Sequence, residues 1–151
     1  MSKTLLTELF WWIVTACVTL VILFPIISAG QYRFLWSNVF LIVAFLTLTR
    51  YIFLLPQTFL SKIEWLKGAM ILFAPILIFL LVQEINRFQT YLDESEWNNV
   101  VSGGAALTSK GLSKYIYTEM LFFGVAGVIA CLAFPIRMLI SIWRVRNLGR
   151  E

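Results

Sequence analysis

Four stretches of this chain run almost without charge, each long enough to matter in a membrane. No charged residue lies between Glu8 and Arg33, and Phe10 to Ile27 is nearly all apolar. A second run extends from about Leu35 to Leu55, interrupted by Arg50 near its far end. The third is uncharged from Gly68 to Gln83; the fourth is uncharged from Met120 to Ile136 and resumes after Arg137 through Met138, Leu139 and Ile140. A helix needs about 20 mostly apolar residues to cross the hydrocarbon core. The pattern therefore predicts spans at about 9–28, 35–55, 66–86 and 118–141 within a single membrane domain, 1–151. The first run resembles a secretory signal in carrying Lys3 ahead of it and Ser28-Ala29-Gly30 behind it. Its apolar stretch exceeds the usual 7–15 residues or so, which favours a retained helix.

Composition strengthens this reading. Of 151 residues 60% are hydrophobic and 13% charged, whereas a soluble domain carries roughly 25% charge. A chain this small has too little interior to hide so much apolar side chain from water.

Lys and Arg set the direction of threading. With four spans, both termini and the middle loop share one side, which holds Lys3, Arg50, Lys62, Lys67, Arg137, Arg144, Arg146 and Arg150. The opposite side holds Arg33, Arg87, Lys110 and Lys114. Cytoplasmic loops carry the excess of basic residues, so both termini are expected in the cytoplasm of a cell whose inner (plasma) membrane the chain crosses. The expected fold is all-α: a polytopic four-transmembrane-helix bundle with an outer helical arm between spans three and four, at about 84–117. Trp11, Trp12, Tyr32, Trp36, Tyr51, Trp65, Tyr115, Tyr117 and Trp143 fall where aromatic side chains anchor at headgroup level.

Ser61-Lys62-Ile63-Glu64 has the form of a capping box ahead of the third run. It predicts a helix from near Lys62 that continues to about Asp93, too long to end inside the bilayer. The projecting part carries Ile85, Phe88 and Leu92 on one face, flanked by charges. That face is a candidate docking arm: for a partner, for the lipid surface, or for its own bundle. The chain is then expected to turn through Asn98-Asn99 and Ser102-Gly103-Gly104 and return by Lys110–Ser113.

Within the spans, Pro25, Pro75 and Pro135 predict kinks. The fourth span has a stripe of small residues, Gly124, Ala126, Gly127, Ala130 and Cys131, with Ala133 beyond. Small side chains allow backbones to approach closely where lipid supplies no hydrophobic drive. This stripe is the expected helix-packing interface, within the chain or with another subunit. Thr15 and Thr19 share a face and are expected to bond their own backbone or a neighbouring helix. Thr7-Glu8 before Phe24-Pro25-Ile26 has a faint echo in Thr118-Glu119 before Phe134-Pro135-Ile136. The matches are too short to argue a repeat.

Candidate chemistry is sparse. There is no histidine, which removes His-ligated metals and haem and any His-based catalytic pair. Cys17 and Cys131 lie singly in apolar runs, as small hydrophobes do. No phosphate-cradling glycine motif occurs. No metal, cofactor or nucleic acid is expected, and no catalytic residue stands out. Ionisable groups in a membrane are the default functional candidates. Here they form two possible clusters near the span ends: Glu8, Arg50 and Arg137 on the cytoplasmic side, and Glu84, Arg87 and Glu119 on the outer side. Arg144, Arg146 and Arg150 suit anionic headgroups.

Three functions are compatible with these features. The first is a non-catalytic membrane subunit that packs with, and stabilises or positions, a larger inner-membrane complex. The second is a small homo-oligomeric transporter or channel. The third is a membrane enzyme acting on lipid or quinone at the interface. The expected partners are membrane lipids together with other membrane subunits or a second copy of the chain.

Overall fold

The computed structural model describes residues 3–29, 31–94, 101–102 and 106–149. The predicted turns at Asn98-Asn99 and Gly103-Gly104, with Glu96 and Arg150, lie outside these residues. The chain runs α1 (Lys3–Ser28), β1 (Gln31–Tyr32), α2 (Leu35–Leu54), two 3-10 turns (Leu55–Gln57 and Phe59–Lys62), α3 (Glu64–Glu94), β2 (Val101–Ser102) and α4 (Ala106–Leu148). All four α-helices contain a segment long and apolar enough to cross a membrane. In such a solvent every backbone N–H and C=O must bond within the chain, and a helix does this by itself.

Local chemistry sets the helix ends. Pro56 lacks the N–H that would extend α2, so the chain passes into a 3-10 turn there. The capping box does not form. α3 begins at Glu64 rather than near Lys62, with Ile63 extended before it and accepting the N–H of Lys67. The Ser61 hydroxyl instead donates backward to the carbonyl of Thr58 at 3.0 Å, stabilising the turn. Pro25, Pro75 and Pro135 all lie inside helices that continue past them. At 1.5 Å per residue the 31 residues of α3 and 43 of α4 reach about 46 and 64 Å. α4 is already helical at Ala106, well ahead of the predicted span. β1 and β2 pair antiparallel, Gln31 opposite Ser102 and Tyr32 opposite Val101. This short ribbon ties the α1–α2 junction to the α3–α4 connection and has no signal in the hydrophobic pattern.

The helices do not close into a square. α4 lies between α2 and α3 and packs along both, while α1 lies chiefly along α2. At the end away from the termini Phe34, just ahead of α2, stacks edge-on against Phe88 of α3 at 5.7 Å and tilts against Tyr91 at 5.0 Å. Phe88 and Leu92 are buried there, and Ile85 leans on Gly124. The candidate docking face is thus covered by the chain's own Phe34, ahead of α2, and by α4.

The small-residue stripe forms the seam on which α4 receives its neighbours. A Cβ added at Gly124 would lie 2.7 Å from Cγ1 and 2.8 Å from Cδ1 of Ile85 on α3. At Gly127 it would meet Leu81 at an ordinary 3.7 Å, with Phe45 of α2 at 4.0 Å. One helical turn on, the Cys131 thiol donates to the carbonyl of Ala74 at 3.4 Å. Ala130 is buried, Ala126 half-buried and Ala133 exposed. The stripe therefore packs within the chain.

Gly124→Val should destabilise the protein in detergent by about 1–3 kcal/mol, the usual cost of overpacking. Gly127→Ala should leave the thermal unfolding midpoint nearly unchanged. Adding Ile85→Ala to Gly124→Val should recover part of the loss, because the clash is with that side chain.

Candidate functional site

α2 carries a polar junction at each end. Its first turns hold Ser37 and Asn38, adjacent residues that point to different neighbours. Ser37 Oγ donates to Glu84 Oε2 on α3 at 2.6 Å, and Asn38 Nδ2 donates to Glu119 Oε2 on α4 at 2.6 Å. Arg87 Nη1 bonds the other Glu84 oxygen at 3.2 Å from one turn further along α3. The three residues predicted for an outer cluster thus come together only in part. Glu84 and Arg87 pair directly, and Glu119 is linked to them through the Ser37-Asn38 step.

Asn38 is fully buried and Glu119 is 7% exposed. One oxygen of each, Asn38 Oδ1 and Glu119 Oε1, is buried with no hydrogen-bond partner. Both orphans are acceptors, and they belong to side chains already bonded to each other. Tyr32 closes the same end, donating to Met120 Sδ at 2.8 Å. Burial pushes its phenol well above the usual range, and the neighbouring Glu119 and Tyr91 push it the same way. The hydroxyl therefore stays protonated and serves as a donor.

At the other end of α2, Arg50 forms an ion pair with Glu8 of α1, and the second Glu8 oxygen accepts the backbone N–H of Phe59 at 2.9 Å. The guanidinium also lies 5.4 Å from the ring centre of Tyr51 and 5.9 Å from that of Trp11. The Arg50 side chain is buried in this pairing. Arg137 bonds elsewhere, its Nε donating to the carbonyl of Ile52 at 3.0 Å. The predicted cytoplasmic cluster is therefore a Glu8–Arg50 pair with Arg137 capping the end of α2 beside it. Both glutamates of the internal echo bond to α2, Glu8 at one end and Glu119 at the other.

Three participants carry little signal in the sequence. Asn38 and Ser37 are uncharged and sit at the margin of an apolar run. Lys67 reads as an interfacial cation, yet it is fully buried, and its ammonium donates to Ser141 Oγ on α4 at 2.8 Å. Spacing alone gives no hint of a partner 74 residues away. Arg146 and Glu64 add a looser pair at 3.7 Å on the exposed surface, of the kind that contributes little. Thr15 and Thr19 donate to the carbonyls of Trp11 and Thr15 on their own helix. Among the described residues no group of His, Cys, Asp or Glu is arranged to hold a metal ion.

Glu119→Gln should hold or raise stability by about 1 kcal/mol, because an amide keeps the acceptor for Asn38 Nδ2 and offers a donor to the orphan oxygen. Asn38→Leu should lower it by about 1–3 kcal/mol, leaving a buried carboxyl unpaired. Thermal unfolding in one detergent compares the two. At the other junction, Glu8→Leu should cost about 3 kcal/mol by stranding buried Arg50, while Glu8→Leu with Arg50→Met should cost clearly less. Denaturant titration of the two variants beside the unaltered protein measures the difference. No family model matches the sequence, and no curated protein or solved structure matches it.

Proposed function

We propose that the chain is a non-catalytic subunit of a larger inner (plasma) membrane assembly, which it stabilises or positions, and that both its termini face the cytoplasm. The observation that carries this reading is the use the structure makes of its polar residues. Glu8 with Arg50, Asn38 with Glu119, Ser37 with Glu84 and Lys67 with Ser141 each join two helices of the chain. Together they brace an open row rather than line a passage. A braced, open row keeps broad apolar faces outward, with Leu6, Phe10, Val21 and Phe24 exposed on α1 and Leu72, Ile76 and Phe79 on α3. Such faces are open to lipid and to further transmembrane helices alike, and the subunit reading places helices of the assembly on them. The basic excess on the side of the termini supports the orientation, and the extra length of α3 and α4 supports an outer helical projection.

A second reading, a small homo-oligomeric transporter or channel, is favoured by one observation. Glu119 and Asn38 hold buried, unpartnered oxygens inside a span, and buried polar groups in membranes mark pathways for ions or protons.

Native mass after extraction of the tagged protein in mild detergent separates the two. The subunit reading expects a much larger assembly with other chains. Recovery as the 17.4 kDa chain or a small multiple of it would sink that reading. It would turn attention to flux through reconstituted vesicles, compared with Glu119→Gln.

A further inference from the structure

Beside the contact of Phe34 with Tyr91, at the end of the molecule away from the termini, the start of α2 and the end of α3 flank a groove. Its upper part, about 610 Å³, is lined by Arg33, Phe34, Ser37, Arg87, Thr90 and Tyr91. A second hollow of about 380 Å³ continues from it, sharing Ser37 and Arg87 and adding Trp36, Phe40, Leu80 and Glu84. The two helices are antiparallel, so their lining residues form matched ladders. On one side Arg33, in the turn just ahead of α2, is followed by Ser37 and Phe40 of the helix; on the other, α3 descends through Tyr91, Arg87, Glu84 and Leu80. Steps of three and four residues keep the α3 residues, and Ser37 with Phe40, on one helix face, and Arg33 lines the same groove from the turn. Both sides run from polar and charged side chains at the top (Arg33 and Ser37; Tyr91, Arg87 and Glu84) to the apolar Phe40 and Leu80 below. Trp36, 81% exposed beside the groove, marks the depth at which aromatic rings meet headgroups.

We propose that this groove is a binding site for one phosphoglyceride with a singly charged anionic headgroup. Its phosphodiester sits between Arg33 and Arg87, and its upper acyl chain lies on Phe40 and Leu80. The order of the ladders matches the order of parts in the lipid: phosphate, glycerol, chain. The charges fit as well. Arg33 is braced over the Tyr91 ring at 5.6 Å, its guanidinium otherwise exposed to the groove. Arg87 spends part of its charge on Glu84, which also accepts from Ser37. Two arginines against one carboxylate leave a single net positive charge, which suits a phosphodiester better than a doubly charged phosphomonoester. The neutral Thr90 and Ser37 hydroxyls and the Tyr91 phenol complete a polar rim. The guanidinium fork is the side chain best shaped for phosphate oxygens.

The test uses the full chain in detergent, incubated with equal amounts of phosphatidylglycerol and phosphatidylcholine, with native mass spectrometry counting retained lipid. One phosphatidylglycerol per chain should be kept in preference to phosphatidylcholine. Arg33→Gln and Arg87→Gln should each lower that occupancy about five-fold, as expected for the loss of one cation facing an anionic lipid. Both arginines are surface residues, and circular dichroism verifies that the variants remain helical. Arg144→Gln with Arg146→Gln, at the opposite end, should leave occupancy unchanged. Equal retention of the two lipids, or wild-type occupancy in the double arginine variant, overturns the proposal. A final arm adds millimolar inorganic phosphate. Undiminished phosphatidylglycerol supports a lipid site, and complete displacement shows that the groove takes free phosphate instead.

Discussion

The closeness of α4 to its neighbours governs the rest of the architecture. In lipid, apolar surface gains nothing by leaving its solvent, so helices associate through contact and a few bonds. Gly124 and Gly127 remove side-chain bulk where Ile85 and Leu81 arrive from α3, and Leu41 and Phe45 arrive from α2. Because α4 is thin on this seam, α2 and α3 both reach it. Because both lean on α4, they need not lean on each other along their length. The cleft between them follows, as does the edge position of α1. The hydrogen bonds of Asn38 and Lys67 operate only because α4 is held at that distance.

The polar contacts act at the span ends, where the seam is weakest. Glu8–Arg50 joins α1 to α2 at the end bearing the termini, and Tyr115 of α4 donates to the carbonyl of Ile22 on α1 at 2.9 Å towards the other. Each bond replaces water that the bilayer does not supply, and losing one partner would strand the other. The bonds therefore set which helix faces which, while the apolar seam supplies the contact area.

Much of this was legible in the residue order. The four apolar runs located the helices, because a membrane-spanning helix has to be apolar on nearly every side. The stripe from Gly124 to Cys131 located the seam, because few other roles suit so many small residues on one face. What stayed hidden depends on tertiary proximity. Lys67 looked like any interfacial lysine until Ser141 was placed against it. Ser37 and Asn38 looked like helix-start polarity. The Ser61–Glu64 box had the right letters, but Pro56 had already committed the chain to 3-10 turns, and Ser61 found a nearer carbonyl. Phe88 and Leu92 formed a recognisable apolar face whose cover, Phe34, lies more than fifty residues earlier.

The bond between Asn38 and Glu119 spans 81 residues, and that distance bears on biogenesis. A ribosome delivers α2 to the membrane long before α4 exists. During that interval the Asn38 amide has no Glu119 to bond, and Ile85 has no Gly124 to rest on. Until the last helix arrives, the Asn38 amide must find another polar partner or remain unsatisfied, at the cost of a buried unpaired group. Completion is therefore an event of the final span. A chain interrupted before Glu119 leaves bare the polar groups that the finished molecule conceals.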